Sequence, residues 1–154
     1  MLIIRIFGNY PKIEKTDYDQ ILNQPMPTWT LNTEFNIDSA HFIEGYDGKC
    51  GRMHGHTYKV QIAAKSHKLN PSKYLKTPDM VCDFKELKWA AQDSLKGGLD
   101  HGVLNDLMEC STTAERIAEF IHQETVKRIP GEIELTVTVW ETPNNWVVYT
   151  DKDV

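Results

Sequence analysis

Three histidines of this sequence are spaced so that their side chains can meet. His54 and His56 are two residues apart, and on a β-strand such residues project from the same face. His41 ends an upstream segment of alternating apolar and polar residues, so a hairpin pairing the two segments brings it next to the other two. Three nitrogen ligands with a fourth position left for water or substrate are typical of catalytic zinc. The spacing therefore predicts a Zn²⁺ site, although imidazole ligands also suit iron, nickel or copper.

A structural role is the alternative for each histidine considered alone. A single histidine on an apolar strand face is usually a hydrogen-bonded core residue. Three imidazoles buried on one face without a ligand would be costly, so the set as a whole favours metal binding. His67 and His122 share neither pattern and are expected to face solvent.

Cys50 has the type and the position of a reactive thiol. It lies in a glycine-containing loop, four residues before His54. A nearby cation favours the thiolate, which is the reactive form of cysteine. The alternative is a small buried hydrophobe. We expect that structural role for Cys82 and Cys110, which have no such setting.

A carboxylate–histidine pair and a glutamate are further candidates. Asp100 directly precedes His101, and a histidine with a carboxylate partner can relay protons near neutral pH. Glu141 continues the apolar face of an alternating segment, where a carboxylate needs hydrogen-bond donors. Adjacent residues need not touch, and a solvated glutamate at a strand end is common. The pattern alone therefore leaves both roles open.

The first two elements that must position these residues are strands. Alternation over residues 28–41 and again over 57–65 predicts two antiparallel strands. The segment 45–51 is rich in glycine and reads as the loop of a long β-hairpin. By parity, the histidines share the apolar face of Tyr58 and Val60.

Two helices and a second hairpin follow. Capping-box patterns at Asp83 and Thr112 each precede apolar residues at helical spacing. Alternation over 133–139 and a turn at Asn144-Asn145 predict two more strands, the last over 146–149. The order ββααββ predicts an α+β fold with an antiparallel four-stranded sheet and two helices on one face.

Length and composition bound the class of protein. The chain has 154 residues, which fit one domain, here assigned to 28–154 after an N-terminal extension over 1–27. The net charge of −5 argues against nucleic-acid binding. The apolar run Leu2-Ile3-Ile4 is cut by Arg5, so neither a membrane span nor a signal peptide is expected. Three cysteines form no disulfide framework and favour a reducing, cytoplasmic location.

Several motifs, in the right order over roughly residues 30–150, resemble the family of 6-pyruvoyl- and 6-carboxy-tetrahydropterin synthases. The step of four residues from Cys50 to His54 resembles the bacterial carboxy-forming branch of queuosine biosynthesis, since the pyruvoyl-forming type usually spaces them more widely. The matching segments are Ser39-Ala40-His41-Phe42, Cys50-Gly51-Arg52-Met53-His54-Gly55-His56-Thr57-Tyr58, Met80-Val81-Cys82-Asp83-Phe84, Leu99-Asp100-His101, Leu104-Asn105-Asp106, Thr112-Thr113-Ala114-Glu115 and Glu141.

The resemblance implies a tunnelling fold (T-fold), a homo-oligomer built from trimers or hexamers, and active sites between subunits. It implies 7,8-dihydroneopterin triphosphate as the substrate, with 6-carboxy-5,6,7,8-tetrahydropterin, acetaldehyde and triphosphate as the products. Zn²⁺ would act as a Lewis acid. The pyruvoyl-forming reaction and a non-catalytic pterin- or metal-binding module remain as alternatives.

The resemblance also assigns roles to residues. Cys50 becomes the base, and Asp100 and His101 become its catalytic partners across a subunit boundary. Glu141 becomes the anchor for the N–H donors of the pterin, with Thr112 and Thr113 near the same ring. Lys49 and Arg52, which flank the cysteine, are the cations we expect to bind the triphosphate. The sequence departs from the family pattern at Gly102, where bacterial relatives often carry a second histidine or another larger residue.

Overall fold

The computed structural model describes residues 26–95, 99–129 and 132–151, which form a five-stranded sheet and two α-helices. Residues 1–25 lie outside the described residues, so the N-terminal extension stays a prediction. The same holds for the helix-ending glycines at 97–98 and for residues 130–131. The elements are β1 Trp29–His41, β2 His54–Ser66, α1 Phe84–Leu95, β3 Gly102–Val103, α2 Ala114–Val126, β4 Glu134–Thr142 and β5 Asn145–Tyr149.

The predicted first hairpin is present and long. Strands β1 and β2 pair antiparallel over 13 residues each, from Trp29 opposite Ser66 to His41 opposite His54. Their buried residues alternate with exposed ones because one face packs against the helices and the other does not. This pattern excludes a slip of one residue, which would turn the apolar face outward.

The sheet has one strand more than the sequence predicts. Its order is β3-β1-β2-β4-β5, and the additional strand β3 has two residues that pair parallel to Ser39 and Ala40. The prediction of four antiparallel strands was therefore wrong in two respects: the sheet has five strands, and β3 pairs parallel to β1. Two residues are too few to produce an alternation, and only tertiary contact with β1 places them in the sheet.

The helices cover one face of the sheet, as expected. The core joins sheet residues such as Tyr58 and Val60 to helix residues such as Leu87 and Ile117, all fully buried. Asp83 caps α1 as predicted, because its carboxylate accepts a hydrogen bond from the Lys85 amide at 2.7 Å.

The capping box predicted at Thr112 was wrong. Helix α2 begins after Thr113, which makes no side-chain capping bond. The Thr112 hydroxyl donates instead to the carbonyl of Phe42 at 2.9 Å, and Thr112 is fully buried. A tertiary contact with the end of β1 has replaced the local one.

One histidine prediction was also wrong. His67 is exposed as expected, but His122 is only 2% exposed. Its ring packs on Tyr149 with centroids 5.0 Å apart, and Nε2 lies 3.2 Å from the Leu135 carbonyl. His122 is thus a hydrogen-bonded core residue of α2. Across the described parts of the chain, no helix is long and apolar enough to cross a membrane.

Candidate metal and substrate site

The end of the first hairpin brings His41, His54 and His56 together; we call this set the histidine triad. His41 pairs directly with His54, and Ser39 with His56, so all three rings lie on the helix-covered face. One nitrogen from each ring lies within 4.8 Å of the other two. The ring centroids are 4.5, 5.3 and 5.0 Å apart. Such a group has the donor number and type of a catalytic metal site.

Hydrogen bonds fix which nitrogen two of these rings can offer. Nδ1 of His41 lies 2.9 Å from the Thr112 carbonyl, and Nδ1 of His54 lies 2.7 Å from the Arg52 carbonyl. A carbonyl only accepts hydrogen bonds, so each Nδ1 must carry the proton. In a neutral ring held in this way, Nε2 carries the lone pair. This is the arrangement in which protein histidines bind metals.

Burial keeps His41 in the form that can bind a cation. Its side chain is fully buried, and burial lowers the pKa of the ring below its usual value of 6.5. The neighbouring rings of His54 and His56 act in the same direction. The ring is consequently neutral at pH 7 and requires no proton loss before metal binding.

Glu141 faces the triad from strand β4. Its Oε1 lies 3.8 Å from Nε2 of His41 and 3.8 Å from Nε2 of His56. Trp140 pairs with Trp146 and Thr142 with Asn145, so Glu141 is the extra residue of a β-bulge. A bulge re-aims the side chain next to it, which is common beside active sites. Glu141 is 30% exposed and is therefore accessible to a ligand.

A cavity of about 260 Å³ opens beside this carboxylate. Glu141 lines it together with Thr113, whereas Thr112 does not. Thr112 lies behind the triad instead, where its carbonyl accepts the bond from His41 and its hydroxyl holds the Phe42 carbonyl. The two threonines of one motif thus have different surroundings. The remaining lining residues are Ile43, Ala114, Glu115, Asn145, Trp146 and Val147.

The loop of the hairpin carries Cys50, Lys49 and Arg52. A short 3₁₀ turn spans Lys49–Gly51, and the carbonyl of Cys50 accepts a hydrogen bond from the Ile43 amide at 2.8 Å. Cys50 is half-buried, and the two cations beside it are exposed. Gly51 is required here, because a Cβ on it would lie 2.3 Å from the Tyr46 carbonyl. The thiol is not part of the group of close donor nitrogens among the described residues.

Asp100 and His101, the Asp–His pair, lie at the edge of β1, away from the triad. Oδ1 of Asp100 is 2.9 Å from Nδ1 of His101 and accepts the backbone amide of Asp38 at 3.0 Å. This amide bond, and then the imidazole, lower the pKa of Asp100. Asp38 and Thr57 are directly paired, and both are exposed residues on the sheet face opposite the triad. Ligand atoms of Asp38, Asp100 and His101 lie within 4.8 Å of one another, and this group is separate from the close nitrogens of the triad.

The sequence reasoning missed two residues that shape the site. Tyr58, predicted only as a core residue, is fully buried with its hydroxyl 3.1 Å from Nε2 of His41. Asn105 clamps the residue after His41, because its side chain bonds both the amide and the carbonyl of Phe42, at 2.9 and 2.8 Å. Tyr58 lies two residues after His56 on the same face, which is the signal that would have found it.

These features define a class of protein: an α+β domain whose antiparallel hairpin carries a three-histidine metal-capable site beside a carboxylate-lined cavity. Comparison with known proteins specifies the class. The model of the family described as 6-pyruvoyl tetrahydropterin synthase matches residues 30–152, and the chain belongs to this family.

Relatives and solved structures agree with this membership. The chain is 31% identical over 145 residues to the 6-carboxy-5,6,7,8-tetrahydropterin synthase of Haemophilus influenzae, covering 79% of this chain and 98% of the relative. It is 32% identical over 139 residues to the enzyme of that name from Bacillus subtilis, covering 81% and 87%. The structure of Caenorhabditis elegans 6-pyruvoyl tetrahydropterin synthase superposes with a TM-score of 0.67 at 23% identity, covering 82% and 98%, and shows the shared fold.

Proposed function

We propose that this chain is a zinc-dependent lyase that converts 7,8-dihydroneopterin triphosphate to 6-carboxy-5,6,7,8-tetrahydropterin, acetaldehyde and triphosphate. The carboxylated pterin would feed the biosynthesis of queuosine or a related 7-deazaguanine in the cytoplasm. The relatives that carry the name 6-carboxy-5,6,7,8-tetrahydropterin synthase support the reaction. The observation that carries the proposal is the histidine triad, in which hydrogen bonds fix two rings for metal binding.

Zn²⁺ suits the donors that the triad offers. Three neutral nitrogens leave one position open, as in catalytic zinc sites. When bound, the metal supplies a Lewis acid that acidifies the substrate's side-chain hydroxyls and stabilises negative charge on oxygen. The carbonyls of Thr112 and Arg52 hold the two rings that they contact, at 2.9 and 2.7 Å. They thereby set the geometry before the metal arrives.

Glu141 is the proposed anchor of the pterin ring. Two neighbouring N–H donors on the edge of a pterin match a bidentate carboxylate. The cavity of about 260 Å³ next to Glu141 provides a place for the ring, with Thr113 on its wall. Thr112 would act indirectly, by holding His41. A ring anchored by Glu141 would direct its side chain toward the triad, because the carboxylate lies 3.8 Å from two of the histidines.

Cys50 and the Asp–His pair are the proposed proton-transfer groups. Cys50 lies in the loop between His41 and His54, from which a thiolate would take a proton from a substrate carbon. The Asp–His pair lies on the far side of the sheet edge, and we propose that it serves the cysteine of a neighbouring copy in a homo-oligomer. Lys49 and Arg52, both exposed near Cys50, are the proposed triphosphate ligands.

The test is a product assay. Zinc-loaded protein is incubated with fresh 7,8-dihydroneopterin triphosphate, and pterins and acetaldehyde are identified by mass spectrometry. Carboxy-tetrahydropterin with acetaldehyde is the expected result. Pyruvoyl-tetrahydropterin without acetaldehyde would assign the chain to the other branch of the family. Unchanged substrate with tight pterin binding would contradict catalysis and leave a binding module.

A further inference from the structure

The buried hydroxyl of Tyr58 forms a hydrogen bond with a histidine nitrogen that a metal ion would occupy. Tyr58 is fully buried, and its oxygen lies 3.1 Å from Nε2 of His41. The proton on Nδ1 of His41 is committed to the Thr112 carbonyl at 2.9 Å, so Nε2 is the acceptor and the phenol is the donor. The same Nε2 lone pair is the one that a metal would use. Tyr58 and a metal therefore compete for one pair of electrons.

The phenol keeps its proton in this environment. A phenol ordinarily loses its proton only near pH 10, so the group is a neutral O–H donor at physiological pH. A buried donor that loses its acceptor without replacement is destabilising, so metal loading requires a new acceptor for this O–H.

Glu141 is placed to supply the new acceptor. Its Oε1 lies 3.8 Å from the same Nε2 of His41, so the carboxylate and the phenol approach one nitrogen from strands β4 and β2. Its other close contact is Nε2 of His56, at 3.8 Å, and Tyr58 also packs against that ring with centroids 5.4 Å apart. The carboxylate is therefore the candidate acceptor beside the same nitrogen, and it accepts more strongly than a neutral imidazole.

We propose that Tyr58 is a metal-responsive hydrogen-bond donor: it donates to Nε2 of His41 in the metal-free chain and to the Glu141 carboxylate once metal occupies that nitrogen. Metal loading would thereby lock the orientation of the carboxylate that is proposed to anchor the pterin. The inference rests on metal binding by the triad, which is part of the proposed function. Tyr58 acts through Glu141, so it is a positioning residue.

The experiment measures the affinity for Zn²⁺ alone, by competition with a chromophoric chelator, without substrate. Tyr58→Phe removes only the oxygen, and thermal unfolding verifies that the variant is folded. We expect it to bind Zn²⁺ about fivefold more weakly, because a charged hydrogen bond gained on loading exceeds the neutral one that is lost. In a Glu141→Gln background, the same change should alter the affinity less than twofold.

Two further measurements complete the test. Tyr149→Phe is the matched control, since that tyrosine also packs edge-on against a histidine, His122, with centroids 5.0 Å apart; its Zn²⁺ affinity should equal that of the wild type. Zn²⁺ has no absorbance of its own, so a near-ultraviolet tyrosine difference spectrum should appear on loading wild-type protein and be absent in Tyr58→Phe. This second measurement does not depend on the stability of a double variant.

The outcomes are distinguishable. A Tyr58→Phe chain that binds Zn²⁺ as tightly as the wild type or more tightly would overturn the inference, and so would an effect independent of Glu141. In both cases wild-type binding of Zn²⁺ would leave the proposed function intact. A wild-type chain that binds no Zn²⁺ would contradict the metal part of the proposed function and this inference together.

Discussion

The histidine triad and the Asp–His pair lie on two sides of one sheet and differ in burial and in how their side chains are held. The triad is supplied by two strands in a fixed register, and His41 is fully buried with both ring nitrogens engaged. The pair lies in a loop, with side-chain exposures of 47% for Asp100 and 77% for His101. A metal site needs the geometry of its ligands set in advance. An exposed imidazole can instead become part of a site when a second protein surface packs against it. The contrast is why we propose that a neighbouring copy of the chain completes the site of the Asp–His pair.

Removal of a triad ligand should have the largest effect. In His41→Ala, we expect turnover to fall to background and Zn²⁺ affinity to fall by more than about 100-fold, because a ligand is lost together with its outer hydrogen bonds. Metal content by atomic absorption and the product assay measure both. His67→Ala is the control, since His67 is an exposed histidine on Thr28 and Pro27. Stoichiometric zinc in His41→Ala would remove the triad from the proposal.

The next effect separates proton transfer from metal binding. Cys50→Ala should lower turnover by about 100- to 10,000-fold, the usual contribution of a general base, while the zinc content stays at that of the wild type. Cys110→Ala, which changes an exposed cysteine, provides the matched control. Full activity in Cys50→Ala would refute its assignment as the base.

A mixing experiment tests whether the two regions cooperate between copies. Cys50→Ala and His101→Gln should each be inactive alone. After subunit exchange in equal amounts, about one quarter of the wild-type activity should return, because that fraction of shared sites draws both intact residues. Size-exclusion chromatography verifies that the exchanged protein is oligomeric. If no activity returns, both residues must come from the same chain.

The smallest expected effect concerns the stability of the pair's loop. The pKa of Asp100 is lowered in the folded chain, so its ionised form contributes stability above the unfolded pKa near 3.8. That contribution is lost as the pH falls through the pKa of Asp100 in the folded chain. Asp100→Asn should lower the melting temperature at pH 7 by only about 1 °C, because the half-exposed carboxylate is screened by solvent. The difference from the wild type should vanish in acid.

A control variant tests whether the change in melting temperature is specific to Asp100. Asp47→Asn removes an exposed carboxylate from the loop 45–51 and should leave the melting temperature unchanged at every pH. An Asp100→Asn difference that persists below the folded pKa would show that the amide disturbs the loop by another route, independent of charge.

The periodicity of apolar and polar residues was sufficient to predict the helices and strands that bury a continuous face. The alternation before His41 and after His56 predicts the first hairpin and the face that each residue occupies, because a slip of one residue would turn an apolar face outward. The two-residue strand β3 could not be predicted, since it depends on contact with Ser39 and Ala40 rather than on a pattern of its own. Thr112 and His122 were misassigned for a related reason: each makes a tertiary hydrogen bond, to Phe42 and Leu135 respectively.

Site residues divide in the same way. Parity placed Glu141 on the apolar face of its strand, and the structure adds its position beside the triad and the bulge that aims it. Tyr58 was on the predicted face but was assigned to the core. An alternating pattern shows that a ring is buried, but it does not show whether the hydroxyl of that ring forms a hydrogen bond in a site. The position of the Asp–His pair on the opposite side required the parallel contact with β1, which no local signal predicts.

The pairing of His41 with His54 has a consequence for the order in which the chain folds. The two residues are close in sequence, so the entropy lost in closing the loop between them is small. Strand β4 follows both helices in the sequence and pairs with β2 at a much greater sequence separation, which slows its docking. We therefore expect the metal-binding end of the hairpin to assemble early, before Glu141 arrives. An ion bound at that stage would act as a nucleus, so Zn²⁺ should accelerate refolding as well as stabilise the product.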